Sequence, residues 1–379
     1  MLYIITEYFY PFLDGGGPLR SIDGLISCFD SHFETKLITS SKSYKGESLP
    51  LNYKSDTFSK NISTELSISY ISKTKKGLIF LLSTIHRNDT VYVNGLFMPL
   101  LNFIPIIISK KLIISPRGML QQKLLEQKKW QKHIYLSVLK TIFFFKKIKF
   151  HATTQQEAVE IQKQFGKNTD ITIISNVPVK PFISINSKDK EVQKLRLVYL
   201  GLIVENKGLL NLIKTLKQLN LTISLDIYGP VKDQKYVVSC FKEIENDLSN
   251  AIINYKGAIN PSESQNILQN YDAFVLLTKG ENFGHSIYES LSVGTPVIIS
   301  NNTPWKFSNE PNPPGWLVNI EGEKEENCSE LTDILTKLYY MNNEEYTQSS
   351  IAAHQYAIDF YNSHDFKKQY TDLFNSFNN

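Results

Sequence analysis

Lys279-Gly-Glu-Asn-Phe-Gly-His-Ser-Ile-Tyr-Glu-Ser-Leu-Ser-Val-Gly-Thr-Pro296 lies between two short apolar runs, Ala273-Phe-Val-Leu-Leu277 and Val297-Ile-Ile-Ser300. Runs of this length, β-branched or aromatic with turn residues at both ends, read as buried parallel strands. The stretch between them is then a loop, a short helix and a return turn. Gly294 takes the left-handed position past the helix end, and Pro296 cannot continue the helix.

Two carboxylates sit in this stretch, Glu281 and Glu289. On one continuous helix they would stand about 80° apart and would not share a face. If the helix starts at Gly284 or His285, Glu281 stands in the loop at its mouth and Glu289 on its second turn. A helix N-terminus offers backbone N–H groups and partial positive charge, which suit a phosphate. Gly284 lacks a Cβ, so a ligand can approach its backbone. His285 and Ser286 open the helix beside it. The plainer reading is a strand connection carrying two solvated glutamates.

The pattern Glu281-Asn-Phe-Gly284 … Glu289-Ser-Leu-Ser-Val-Gly-Thr-Pro-Val resembles the signature of the retaining glycosyltransferase family 4. That resemblance implies an α/β chain of the GT-B fold: two Rossmann-like domains facing across a cleft, with a C-terminal helix crossing back to the first. It implies an acceptor-side domain over 1–175 with about 362–379 returning, a linker over 176–192 and a nucleotide-sugar domain over 193–361.

Composition sets wider bounds. The chain has 379 residues, 42% hydrophobic and 21% charged, enough for two globular domains. A net charge of +4 is too mild for a dedicated nucleic-acid binder. Cys28, Cys240 and Cys328 lie far apart, which suggests neither a disulfide framework nor a zinc site and points to a reducing compartment. Leu2-Tyr-Ile-Ile5 is too short for a signal peptide, and Phe97–Ile108, broken by prolines, is too short for a membrane span.

From the N-terminus, a strand over 2–5 leads into Gly15-Gly16-Gly17-Pro18 and a helix through about Phe29, a Rossmann-like opening without the Gly-x-Gly-x-x-Gly fingerprint. Strands are expected at 35–39, 67–72, 90–93, 112–115, 149–153 and 171–174, mostly separated by helices, so the sheet is parallel. Ser115-Pro-Arg117-Gly118-Met119 ends one strand, where ligands of open α/β sheets gather. Arg117 is placed there to meet a phosphate or sugar, unless it is an ordinary surface arginine. The stretch 121–150 carries eight lysines against one acid, Glu126, with Trp130, Tyr135 and Phe143 among them. It suits an anionic membrane surface, or equally an amphipathic helix with a solvated lysine face. Thr154 and Glu157 read as a capping box. Leu197–Leu200 leads into Gly201, Leu202 and Lys207-Gly208, another strand-to-helix turn.

The resemblance assigns roles to these residues. Glu281 would lie near the donor sugar and, with Arg117, is a candidate catalytic residue. Gly16, Gly17, Lys207, Gly284, His285, Ser286 and Glu289 would bind the donor, Glu289 through ribose hydroxyls. The acceptor would be a saccharide, often on an undecaprenyl-diphosphate carrier, at the inner face of the cell membrane. No cofactor or metal is expected, since the chain has no Asp-x-Asp grip. Two departures stand out: Leu202 occupies the position of an arginine that clamps the donor diphosphate in the family, and no histidine stands near Ser115–Met119. The competing classes are a non-catalytic nucleotide-sugar-binding subunit, which Leu202 favours, and a sugar-nucleotide epimerase of the same fold. A dehydrogenase is disfavoured by the missing glycine fingerprint.

Overall fold

The computed structural model describes residues 1–12, 15–28, 33–43, 46–60, 66–126, 129–144, 146–185, 190–245, 251–308, 311–320 and 329–377. They form two compact units, Met1–Val177 with Asp365–Asn379, and Pro178–His364. Leu13 and Asp14 of the glycine loop, Phe29, Lys128, Phe145 and Cys328 lie outside the described residues.

The first unit is built on strands β1 (Leu2–Thr6), β2 (Thr35–Ser40), β3 (Phe58–Lys60), β4 (Ser67–Ile71), β5 (Thr90–Asn94), β6 (Lys111–Ser115), β7 (Lys149–Ala152) and β8 (Asp170–Ile173). Their order is β3-β4-β2-β1-β5-β6-β7-β8. Neighbours pair in parallel, except that β3 runs antiparallel on β4. All five residues of β1 are buried, the signature of a strand covered on both faces. The expected strands match β2 and β4 to β8 within a residue at each end. β3 was not expected. It is three residues long, two of them exposed, and such an edge has no apolar alternation to read.

Ile5, Val93, Ile114 and Phe150 from the sheet join Leu81, Ile104, Leu136 and Ile161 from helices 75–84, 99–108, 129–144 and 155–165 in one core. The C-terminal helix Phe366–Asn375 belongs to this unit. Asp365 caps it, accepting from the Lys368 N–H at 3.0 Å. Its Phe374 packs edge-on against Tyr92 at 5.5 Å, and its Tyr370 hydroxyl donates to the Ser175 carbonyl at 3.2 Å.

The second unit holds a fully parallel sheet of β9 (Leu195–Leu200), β10 (Ile223–Tyr228), β11 (Ala251–Gly257), β12 (Ala273–Leu276), β13 (Val297–Ser300) and β14 (Gly315–Val318), ordered β11-β10-β9-β12-β13-β14. The chain leaves β9 toward β10 and β11, then returns to lay β12, β13 and β14 on the other side. The carboxyl ends of β9 and β12 are therefore the point where the strand order reverses, where open α/β sheets leave a crevice. The first unit has its own reversal, between β1 and β5.

Helix Asn343–Asn362 also belongs to the second unit, where Ser350 and Tyr288 tie it to the organising stretch through the Gly294 and Ala357 carbonyls. Of the segment 176–192, the described residues 178–185 and 190–192 belong to this unit. The Phe182 N–H donates to the Ser292 carbonyl at 3.3 Å, and the His354 ring donates to the Phe182 carbonyl at 2.9 Å.

Candidate functional site

The carboxyl ends of β9 and β12 carry most of the residues singled out in the second unit. β9 leads through Gly201 and Leu202 into a single 3-10 turn, Glu205–Lys207, and Gly208 closes it with φ +71°. β12 leads through Thr278 and Lys279 to Glu281. The two turns are stitched together by backbone. The Asn206 carbonyl accepts from the Lys279 N–H at 2.8 Å and from the Thr278 hydroxyl at 3.1 Å. The approach is so close that a Cβ on Gly208 would lie 2.2 Å from the Leu277 carbonyl oxygen. Glycine is required there by both conformation and space.

This stitching brings Lys207 and Glu281 into an ion pair, each side chain only 17% exposed. The pair spans the strand-order reversal. A second pair, Lys279 with Glu205 at 2.9 Å, spans it at a more exposed position. Positive and negative charges thus alternate around one small loop cluster, which keeps two neighbouring lysines tolerable.

The Glu281 loop is fixed from below. The Glu281 N–H donates to the Asn302 carbonyl at 3.1 Å. The buried Trp305 indole donates to the Phe283 carbonyl, and Phe283 packs edge-on against Trp305 at 5.2 Å. Gly284 takes φ +80°, and the helix His285–Leu291 begins at the next residue, as the sequence required for Glu281 to stand in the loop. His285 lies with its ring 4.8 Å from that of Phe283, and Ser286 follows, both partly exposed. Glu289 stands on the second turn and is 3% exposed. Leu202 brings no charge: its carbonyl accepts from the Tyr199 hydroxyl at 2.9 Å.

Gly16, Gly17 and Arg117 belong to the first unit, near the reversal between β1 and β5. Asn94 at the end of β5 donates to the Thr6 hydroxyl and the Pro18 carbonyl, both at 3.4 Å. Gly16 has φ +59°, the left-handed side that favours glycine. A Cβ at Gly17 would meet nothing within 4 Å, so open space lies beside it.

The Arg117 side chain, expected to meet a phosphate or sugar, is turned into its own unit, and the residue is 9% exposed. It donates to the Asn94 and Asn176 side-chain carbonyls and to the Tyr92 hydroxyl, the last at 2.8 Å. Tyr92 passes the chain of hydrogen bonds to His151 Nδ1 at 2.7 Å, and His151 Nε2 meets the Ile174 carbonyl at 2.8 Å. A carbonyl only accepts, so Nε2 carries a proton; the Tyr92 hydroxyl accepts from Arg117 and gives its own proton to Nδ1, so the ring is neutral. Burial, and after it the Arg117 charge, push the His151 pKa down to about 3. Arg117 itself has φ +56°. Its turn is held by Glu157, which accepts from the Gly118 N–H at 2.6 Å and from the Thr153 N–H and hydroxyl at 2.7 Å each. Thr154 does cap the helix, accepting from the Glu157 N–H at 3.1 Å. The expected capping box is not formed: the Glu157 carboxylate serves Thr153 and Gly118 rather than the Thr154 N–H. Nothing local to 154–157 signals this, because Gly118 is 39 residues away.

The basic stretch 121–150 divides in two. Tyr135 packs on Phe97 and Phe103, and Phe143 on Phe150 and Phe165, so these aromatics are core. Lys132 and Lys146 donate inward to the Leu124 and Ile106 carbonyls. Outward on helix 129–144 stand Trp130, Ile134 and Val138, 81%, 62% and 45% exposed at four-residue spacing, among exposed Lys129, Gln131, His133, Ser137, Lys140 and Thr141, with no acid on the helix. No helix among the described residues is long and apolar enough to cross a membrane. Among the same residues no group of three or more His, Cys, Asp or Glu side chains could hold a metal ion.

Two units of mixed α/β build, each on a parallel sheet with the strand order reversing mid-sheet, make this a protein of the GT-B glycosyltransferase fold. Residues 183–348, somewhat less than half of the 379, match the family described as glycosyl transferases group 1. Among solved structures, HepE of Anabaena, in complex with UDP and glucose, is 14% identical with a TM-score of 0.74, covering 99% of both chains. Sucrose-phosphate synthase of Thermosynechococcus elongatus is 14% identical with a TM-score of 0.73, over 99% of this chain and 98% of that one. WaaG, a glycosyltransferase involved in lipopolysaccharide biosynthesis, is 14% identical with a TM-score of 0.67, over 99% of both. At these identities the likeness concerns the fold. No curated protein matches the chain by sequence.

Proposed function

We propose that the chain is a retaining, metal-independent hexosyltransferase that moves a sugar from a nucleoside diphosphate donor to a saccharide acceptor. The observation that carries this reading is the Lys207–Glu281 pair across the β9–β12 reversal. It sets a cation and a carboxylate side by side where an open α/β sheet takes its ligand. Lys207 would take the diphosphate, which competes for it with Glu281. Glu281, released, would accept a hydroxyl of the donor sugar. Gly284, His285 and Ser286 would offer backbone at the start of the helix, and Glu289 would accept from the ribose. Transfer would break the bond from the sugar C1 to the phosphate oxygen and form one to the acceptor oxygen on the same face. The acceptor proton would pass to the departing phosphate. Charge on the leaving group would be met by lysines and backbone amides held in place before reaction. Arg117 supports its own turn in this scheme and is not assigned to substrate.

The uridine donor is favoured because HepE was solved with UDP and glucose. A lipid-carrier-linked acceptor of a bacterial surface polysaccharide, met at the inner face of the cell membrane, is the acceptor reading. The outward Trp130–Ile134–Val138 stripe and the acid-free helix beneath it support contact with an anionic bilayer.

Titration calorimetry with UDP and GDP, with and without magnesium, tests the donor. Micromolar binding of one, unchanged by magnesium, is expected. The Glu281→Gln protein should bind the same nucleotide within a fewfold yet lose sugar transfer by about a thousandfold, as expected of a group acting mainly in the transition state. Full activity in that variant would sink the assignment. Nucleotide binding without turnover on any lipid-linked saccharide would favour the non-catalytic subunit.

A further inference from the structure

A diphosphate leaving group carries more negative charge than one lysine can balance, and Leu202 supplies none. Other lysines lie near the carboxyl ends of strands in the second unit. Lys306, after β13, donates to the Asn301 carbonyl at 2.8 Å, and Lys232, after β10, is exposed beyond that strand. Lys279 is placed differently. Its backbone N–H is bonded to Asn206, the residue just before Lys207, so both lysines spring from one stitched pair of turns. Its ammonium rests on Glu205 at 2.9 Å, with the lysine side chain 37% and the glutamate 71% exposed. An ion pair that open to water holds weakly and is easily exchanged.

We propose that Lys279 is the second cation of the diphosphate site, moving from Glu205 to the phosphates when the donor binds. The inference rests on the nucleoside-diphosphate reading above. It also accounts for the paired charges. Lys207 is paired with Glu281 and Lys279 with Glu205, so two cations stand ready without repelling each other. A lysine is a flexible point charge with three donors, suited to that exchange where a fixed arginine fork is not.

The test is calorimetric binding of UDP, GDP, uridine and inorganic pyrophosphate to the full chain and two variants. Lys279→Met keeps the stem and removes the charge. It should weaken the nucleoside diphosphate about tenfold, the loss expected for one charged phosphate contact, and leave uridine within twofold. Glu205→Gln frees the ammonium and should tighten the diphosphate by about two- to threefold, as loss of a weak surface pair allows. A melting temperature near that of the parent shows that Lys279→Met is folded. Diphosphate affinity in Lys279→Met within twofold of the parent overturns the proposal and leaves the donor reading intact. If the parent binds pyrophosphate in a Lys279-dependent way but neither nucleotide, the anion site stands and the donor reading falls. If it binds none of the three, both fall.

Discussion

Glu157 offers the sharpest test of how the first unit is held. The residue is 1% exposed, and its carboxylate accepts three hydrogen bonds: the Gly118 N–H at 2.6 Å, and the Thr153 N–H and hydroxyl at 2.7 Å each. Glu157→Ala strands two buried backbone donors. The hydroxyl can turn elsewhere, but the amides cannot. At about 1–3 kcal/mol for each stranded donor, the cost should be about 3–5 kcal/mol. Glu157→Gln keeps one carbonyl acceptor but sets an NH2 group against the other N–H, and should cost about 2–3 kcal/mol. In a unit of roughly 190 residues, each kcal/mol moves the melting temperature by about 2–4 °C. The alanine protein should therefore melt about 6–20 °C lower in the transition assigned to this unit. Urea melts give the free energy, and hydrogen exchange gives the location. The Gly118 and Thr153 amides should exchange far faster, with the turn carrying Arg117 at φ +56° loosened. A loss under about 1 kcal/mol with both amides still protected would refute the reasoning, because those donors would then have another acceptor.

Gly208→Ala places a methyl 2.2 Å from the Leu277 carbonyl at a backbone angle of +71°. It should destabilise the second unit by at least about 2 kcal/mol and weaken nucleotide binding; a melt and a titration equal to the parent's would refute the close approach. His151, neutral in the fold with a pKa near 3 against an ordinary 6.5, gives a pH dependence of known sign. The unfolded chain takes up a proton below pH 6.5 that the folded chain refuses, so stability is unaffected above that pH and falls as pH drops toward 3. The slope is up to about 1.4 kcal/mol per pH unit. His151→Gln should be less stable at pH 7 but flatter between about pH 6.5 and 5, and parallel curves would show that burial and the Arg117 charge do not hold the ring neutral. For the outward face of helix 129–144, Trp130→Ala and Ile134→Ser should reduce pelleting with anionic liposomes severalfold; equal pelleting with neutral and anionic lipid removes the case for that face.

Much of the fold was open to a reader of the sequence because both sheets are parallel apart from the β3 edge. A strand covered on both faces must be apolar throughout, so Leu2–Thr6, Ala273–Leu276 and Val297–Ser300 announce themselves. Phe58–Lys60 had no such signal, being a short, exposed edge. At the site, the order Glu281, Gly284, Glu289 and the helix start at His285 follow from local rules, because caps, glycine angles and helix periodicity act over a few residues.

Partners are another matter. Glu281 finds Lys207 across 74 residues only because β12 is laid beside β9 instead of beside β11. Arg117 ends a strand in sequence, where exposure to ligand was the natural expectation. Its fate was settled by Asn94, Tyr92 and Asn176, 23, 25 and 59 residues away, which claim its donors in the interior. The lysines and aromatics of 121–150 share one composition, yet the packing of helix 129–144 sends Tyr135 inward and Trp130 out. Strands, turns and helix starts could be read residue by residue, since they depend on backbone torsion and apolar periodicity within a segment. Which charges meet, and which side chains remain to meet a ligand, depended on strand order and packing, because hydrogen bonds and ion pairs form between whatever the sheet brings within about 3 Å.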